Sequence, residues 1–308
     1  MFKYNTFPKN LTQDKNQLAC SLAPGREEAA RPSAYLGLSY AHIRPLGQSN
    51  NSEANFHCWV DGNLIKASLK KNDQIQVGGG KRSTIVGMSR AARRRMMFQL
   101  CMTEKTTKPL FITLTFPDVF DRDPRVWKRH IKVFFQRVFR QFPGCSAFWR
   151  LELKKRLSGL SAGQVAPHFH ILMWGVPYLD MFGFLKTAWW DVVGSKNEDH
   201  FKAGTQVQQV KKDDGVKRYA AKYASKNEGE EENYIVAQKF GHVGRLWGKF
   251  NEEKIPWSDC IEIQTSNIEV IRLFRLMRRY SHLKMRSNCP SFTLMVNDPI
   301  QWFRPLRC

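Results

Sequence analysis

Acidic residues are scarce in this chain. Only 27 Asp and Glu stand against 49 Lys and Arg in 308 residues, a formal net charge of +22. Such an excess needs a polyanion to meet it or is carried as self-repulsion, so the balance points away from an ordinary metabolic enzyme and towards nucleic acid. Long apolar runs are lacking as well. No stretch approaches the roughly 18 uncharged apolar residues of a membrane span, and the opening MFKYNTFPKNLTQDK has no apolar core of a signal peptide. A soluble, cytoplasmic protein is expected. The seven cysteines (Cys20, Cys58, Cys101, Cys145, Cys260, Cys289 and Cys308) are odd in number, scattered and never in a CxxC arrangement. Neither a disulfide framework nor a structural zinc site is encoded. A Walker A motif is missing too: around Gly80-Lys81 it would need glycine at Ile75 and Ser or Thr at Arg82.

What is present is concentrated in the middle of the chain. Residues 1–55 are polar and broken by Pro, Gly, Asn and Ser, with no sustained period of 2 or 3.6. Asp61-Gly62, between two partly alternating runs over 56–69, gives a hairpin signal. From Met88 onward the patterns sharpen. Ser89 is placed to cap a helix through RAARRRMMFQLCMTE, and Leu110–Phe116 is β-branched, aromatic and closed by Pro117, as a strand should be. Asp123-Pro124 sets an N-cap and a proline at the first helical position. Trp127, Ile131, Phe134, Phe135 and Val138 then recur at helical spacing, predicting a helix over 124–141. Strands follow over 146–154 and 166–174, a helix near 179–193, a strand near 205–211 and a helix near 213–227.

That order, close to β-α-β-β-α-β-α, fits an α+β fold: a mainly antiparallel sheet with helices on one face, of the ferredoxin-like or RRM-like class. The division expected is an N-terminal extension over 1–87, a central domain over 88–250 and a basic C-terminal extension over 251–308. The last contains an apolar-basic helix candidate, Ile268–Lys284.

Candidate chemistry lies on three of these elements. His168 and His170 sit two apart in a strand, where alternation turns both imidazoles to one face and Phe169 to the other. Such a pair suits a metal ion. Glu152 in the preceding strand lies between Leu151 and Leu153 and so projects away from them; it can be the third ligand or a salt-bridge partner of Arg150 or Lys154. A carboxylate with two imidazoles leaves positions open on a divalent ion, which can then polarise a phosphoryl oxygen. Tyr219, Lys222, Tyr223 and Lys226 put two phenols and two ammonium groups at helical i, i+4 spacing. A phenol with a pKa near 10 needs nearby positive charge or an activated electrophile to act as a nucleophile. The simpler alternative is a helix whose tyrosines pack on the sheet and whose lysines are solvated.

FITLTF at 111–116, PHFHILMW at 167–174 and RYAAKYASK at 218–226, in that order, resemble the three motifs of the HUH endonucleases, the rolling-circle replication initiators. The YxxKYxxK form is closest to the two-tyrosine initiators of single-stranded DNA phages and related plasmids. Gly244-Arg245-Leu246-Trp247-Gly248 resembles a GRxWG segment of the same proteins. The resemblance covers about 88–250. It implies a nickase for single-stranded origin DNA that leaves a 5′-phosphotyrosine and a free 3′-hydroxyl and later rejoins the ends. Carried over residue by residue, His168 and His170 match the metal histidines, with Mg2+ or Mn2+ as the ion. Tyr219 and Tyr223 match the nucleophiles, and Lys222 and Lys226 the lysines of the tyrosine motif. The third ligand varies in position among members, and Glu152 is the candidate here. The expected partners are a polymerase and a separate helicase, in a bacterial host cytoplasm.

The competing expectation is a non-catalytic, RRM-like binder of single strands. In it Phe111, Phe169 and the tyrosines would stack on bases while lysines track phosphates.

Overall fold

Alternation and capping build the central sheet as the sequence suggests. In the computed structural model, residues 35–37, 53–69, 85, 87–157, 161–178, 182–211, 215–216, 219, 239–266, 269–272, 275 and 291–300 are described. All of these belong to one unit, Pro32–Cys308. In chain order its elements are β1 (Tyr35–Gly37), β2 (Glu53–Trp59), β3 (Leu64–Leu69), α1 (Arg90–Cys101), β4 (Leu110–Thr115), α2 (Pro124–Gln141), β5 (Ser146–Lys155) and β6 (Val165–Trp174). They continue with α3 (Phe182–Val192), α4 (Glu198–Ala203), β7 (Thr205–Gln209), β8 (Trp247–Phe250), β9 (Cys260–Ser266) and β10 (Ser291–Met295).

The central sheet has the order β7-β4-β6-β5-β8, every pairing antiparallel. In β4 Leu110, Ile112 and Leu114 are buried while Phe111, Thr113 and Thr115 are half-buried, the period of 2 that gives a strand two unlike faces. α2 starts where Asp123 accepts a hydrogen bond from the Arg125 amide, 2.8 Å away, ahead of Pro124. Its buried stripe is Trp127, Ile131, Phe134, Phe135 and Val138. Trp189 of α3 meets Phe116, Phe134 and Phe169 edge-on, with ring centroids 5.1, 5.9 and 6.3 Å away. Both helices therefore cover the face carrying Phe169, and the face carrying His168 and His170 is left for the site. This is an α+β fold with helices on one face of an antiparallel sheet, consistent with a ferredoxin-like core.

A second sheet was not anticipated. Its order is β1-β10-β3-β2-β9, again all antiparallel. The hairpin at Asp61-Gly62 is there as β2 and β3, closed by the Gly62 amide on the Trp59 carbonyl at 3.1 Å. Its outer partners, β9 and β10, come from beyond residue 250, so strands from both chain ends share one sheet. The end of α1 joins the sheets: the Asn63 amide donates to the Cys101 carbonyl (2.7 Å), the Ser258 amide to the Met102 carbonyl (2.8 Å), and Asn63 Nδ2 to the Val296 carbonyl (3.0 Å). Leu64 and Met295 of the second sheet share the core with the central one. Among the described residues no helix is long and apolar enough to cross a membrane. Of the basic helix expected over 268–284, only 269–272 and 275 are described, and these are helical.

Candidate active site

Register gathers the candidate residues. Across β5, β6 and β4, Glu152 pairs with His168, Arg150 with His170, Thr115 with His168 and Thr113 with His170. Directly paired residues share a sheet face, so these six side chains lie on one patch. Leu151, Leu153 and Phe169 are buried on the opposite side. Phe169 is fully buried among the helices, which corrects the expectation that it stacks on bases: its alternation with the histidines sends it into the core.

Glu152 Oε2 lies 2.7 Å from His170 Nε2, and Thr113 Oγ1 lies 3.3 Å from His170 Nδ1. The carboxylate can only accept, so Nε2–H is the donor in this arrangement and the threonine hydroxyl donates to Nδ1. His168 differs. Its Nε2 is buried and has no hydrogen-bond partner, an arrangement that ordinarily costs about 1–3 kcal/mol. Burial, then the neighbouring His170, pull its imidazole down to about 4, so it is neutral near pH 7 and offers a lone pair rather than a charge. Arg150, 1% exposed, adds a guanidinium to the same face.

Tyr219 joins through an aromatic relay. The Phe111 ring stacks on His170, with centroids 5.9 Å apart and planes within 6°, and the Tyr219 ring tilts against the Phe111 ring at 5.4 Å. The structure thus brings together His168, His170, Glu152 and Tyr219. Tyr223, Lys222 and Lys226 lie outside the described residues.

The GRLWG segment also acquires a place. β8 pairs with β5 at the sheet edge, with Trp247 opposite Arg150. A Cβ on Gly248 would come within 2.8 Å of the Trp149 ring, so only glycine lets the strands close there. On the helix side Lys128 Nζ lies over that ring at 4.6 Å and donates to the Arg245 carbonyl. Burial, with a contribution from Arg245, draws its ammonium down to about 7. Lys128, Thr113 and the relay through Phe111 escaped the sequence because each depends on a neighbour distant in the chain.

A metal ion fits the donor set on two grounds: two imidazole nitrogens and a carboxylate at adjacent register positions, and a buried ring nitrogen with no other partner. Among the described residues the donors do not form a closed cage, because Glu152 and His170 hold each other. An ion would take the place of the proton between them. Thr113 would then accept from Nδ1–H instead of donating, which a hydroxyl can do.

The fold and this face define a sheet-borne site of imidazoles, carboxylate and tyrosine on a strongly basic protein. Residues 109–228, from just before β4 to just past Lys226, match the replication-associated protein family of the ORF2 type. The match supports a role in initiating replication, and the four clustered residues all fall within it. No curated protein and no solved structure matches the chain.

The buried histidines set an acid limit on stability. Burial is the leading cause that lowers His57, His130, His168 and His200. Below about pH 6.5 each takes up a proton in the unfolded chain but stays neutral in the fold. The unfolded state then binds more protons, and stability falls as pH falls. The melting temperature should hold from neutral pH down to about 6.5 and decline steadily towards pH 4. A melting temperature flat through that interval would contradict the buried, neutral assignment.

Proposed function

We propose that the protein starts replication by nicking single-stranded DNA through tyrosine transesterification with a divalent metal, Mg2+ or Mn2+, and later rejoins the ends. The observation that carries this reading is the cluster of His168, His170, Glu152 and Tyr219 on the helix-free face, inside the matched region. When bound, the ion would polarise a non-bridging phosphoryl oxygen and fix the scissile phosphate.

The chain's own groups supply the rest. His168 and His170 would hold the ion through Nε2, Glu152 would supply an oxygen, and Thr113 would fix the His170 tautomer. A tyrosine phenol loses its proton, and its oxygen attacks phosphorus in line. The bond to the 3′-oxygen breaks, and that oxygen leaves as a hydroxyl after taking up a proton. The 5′-phosphate stays on the tyrosine, so a diester bond is exchanged for another and rejoining needs no nucleotide. Lys222 and Lys226 would offset negative charge on the phenolate and leaving oxygen, a task for preorganised charge. The free 3′-hydroxyl suits a polymerase; with no Walker A motif in this sequence, unwinding falls to a separate helicase. A purely binding role is disfavoured because Phe169 is in the core and Phe111 is engaged between His170 and Tyr219.

The direct test offers the protein a pool of single-stranded oligonucleotides with a randomised centre, with Mg2+ or with chelator. Cleavage is expected only with metal; binding without any cleavage would leave the stacking module. Glu152→Gln should weaken Mn2+ binding about 10- to 100-fold and lower nicking, with partial recovery in excess Mn2+. An unchanged titration would confine Glu152 to its hydrogen bond with His170.

A further inference from the structure

Two large apolar side chains stand in water beside this site, Val119 and Leu157, each 90% exposed. Isolated exposed apolar residues are common and need no explanation. These two differ because the backbone around them is pinned. Val119 sits between Asp118 and Phe120. Asp118 Oδ1 accepts from Arg156 (3.1 Å) and from the Ser161 hydroxyl, while Phe120 packs on Phe116 and Trp127, with centroids 5.8 and 6.2 Å away. Leu157 directly follows Arg156, whose guanidinium also donates to the Phe116 and Pro117 carbonyls, both at 2.7 Å. The Arg156 amide and carbonyl in turn pair with Gln164 and Gly163 across the β5–β6 turn. Each apolar residue therefore neighbours one end of the Asp118–Arg156 ion pair. The chain fixes both in solvent where it had partners available to fold them in.

Their position supplies the reason. They stand where β4 ends and β5 turns into β6, and His168 is three residues into β6 from Val165, about 10 Å along the strand. The surroundings are basic: Arg122, Arg125, Lys154 and Lys155 are exposed nearby in the sequence of the same two loops and strand ends. An apolar tip within a cationic rim suits a strand whose phosphates take the charges and whose bases accept apolar atoms between them.

We propose that Val119 and Leu157 form a wedge that enters between bases of the single-stranded substrate a few nucleotides from the cleaved phosphate and sets its register. The wedge rests on the nicking function proposed above. It would make Val119 and Leu157 specificity residues that act on the bases while the metal face acts on the phosphate.

The test uses the full chain with Mg2+ and an oligonucleotide cleaved in the randomised pool, with single abasic positions stepped through the bases flanking the nick. For wild type, an abasic residue at one or two adjacent positions should raise KM about fivefold with kcat little changed. The Val119→Ser/Leu157→Ser double variant should start from that raised KM and show no further effect of those abasic positions. Val119→Ile/Leu157→Met should keep the wild-type profile, which separates apolar contact from a folding defect. An abasic profile in the serine variant identical to wild type would overturn the wedge while leaving nicking intact. A change in sedimentation without a change in the profile would assign the tip to protein contact and likewise overturn it. Failure of wild type to cleave any member of the pool would remove the nicking function and the wedge with it.

Discussion

Alanine at His168 or at His170 is expected to lower nicking by about a thousandfold or more while leaving affinity for single-stranded DNA nearly unchanged. The separation follows from where each energy comes from. Affinity in a chain of net charge +22 is dominated by phosphate contacts spread over many Lys and Arg, and neither histidine is needed for those. Cleavage depends on a few nitrogens. His168 keeps a buried Nε2 with no partner and an imidazole neutral near pH 7, which suits a ligand and serves nothing else visible in the fold. His170 is held between Glu152 and Thr113, so its truncation also releases the carboxylate. Because His168 has no hydrogen bond at Nε2 to lose, His168→Ala should cost little stability beyond its packing, and a loss of activity would not be a loss of fold. Full nicking by the double alanine variant would remove the metal from the account.

The second large effect concerns the phenols. Tyr219→Phe and Tyr223→Phe should each retain some single-round cleavage, and the double variant should form no covalent adduct. At i, i+4 spacing the two side chains would stand about 5–6 Å apart at Cβ on one helix face, so both can reach one phosphate, though not in the same in-line pose at once. One would cut, and after a round of synthesis the other would attack the regenerated junction, releasing a circle and leaving the enzyme linked for another round. Tyr219 has a defined neighbour in Phe111, which connects it to His170. If one single variant makes no adduct while the other matches wild type, alternation is wrong and one tyrosine does all the chemistry.

Much of the site-bearing sheet was legible because its signals are local. The cap at Asp123, Pro124 and the 3.6-residue stripe fixed α2 to the residues found, 124–141. Strict alternation placed His168 and His170 on one face and Phe169 on the other, and the leucines flanking Glu152 fixed the direction of its side chain. The second sheet was not legible. Its pairings join residues more than 190 positions apart, as β2 with β9 and β3 with β10, and no window of sequence records them. β8 is four residues long and α4 six, too short for a period to show. The pinning of Val119 and Leu157 needs Arg156 to reach the end of β4, about forty residues earlier in the chain. Side-chain contacts of this kind depend on register, which the composition of one strand does not specify.

The central claim is transesterification by tyrosine, and the most direct measurement follows the DNA end that stays with the protein. A single-stranded oligonucleotide labelled at its 3′ end is incubated with the protein and Mg2+, and the products are denatured and separated, with the labelled peptide mapped by mass spectrometry. The account predicts that the 3′-terminal fragment travels with the protein, joined through its 5′-phosphate to Tyr219 or Tyr223, while the other fragment carries a free 3′-hydroxyl. Cleavage giving two unattached fragments, with water in place of the phenol as the acceptor, would contradict it.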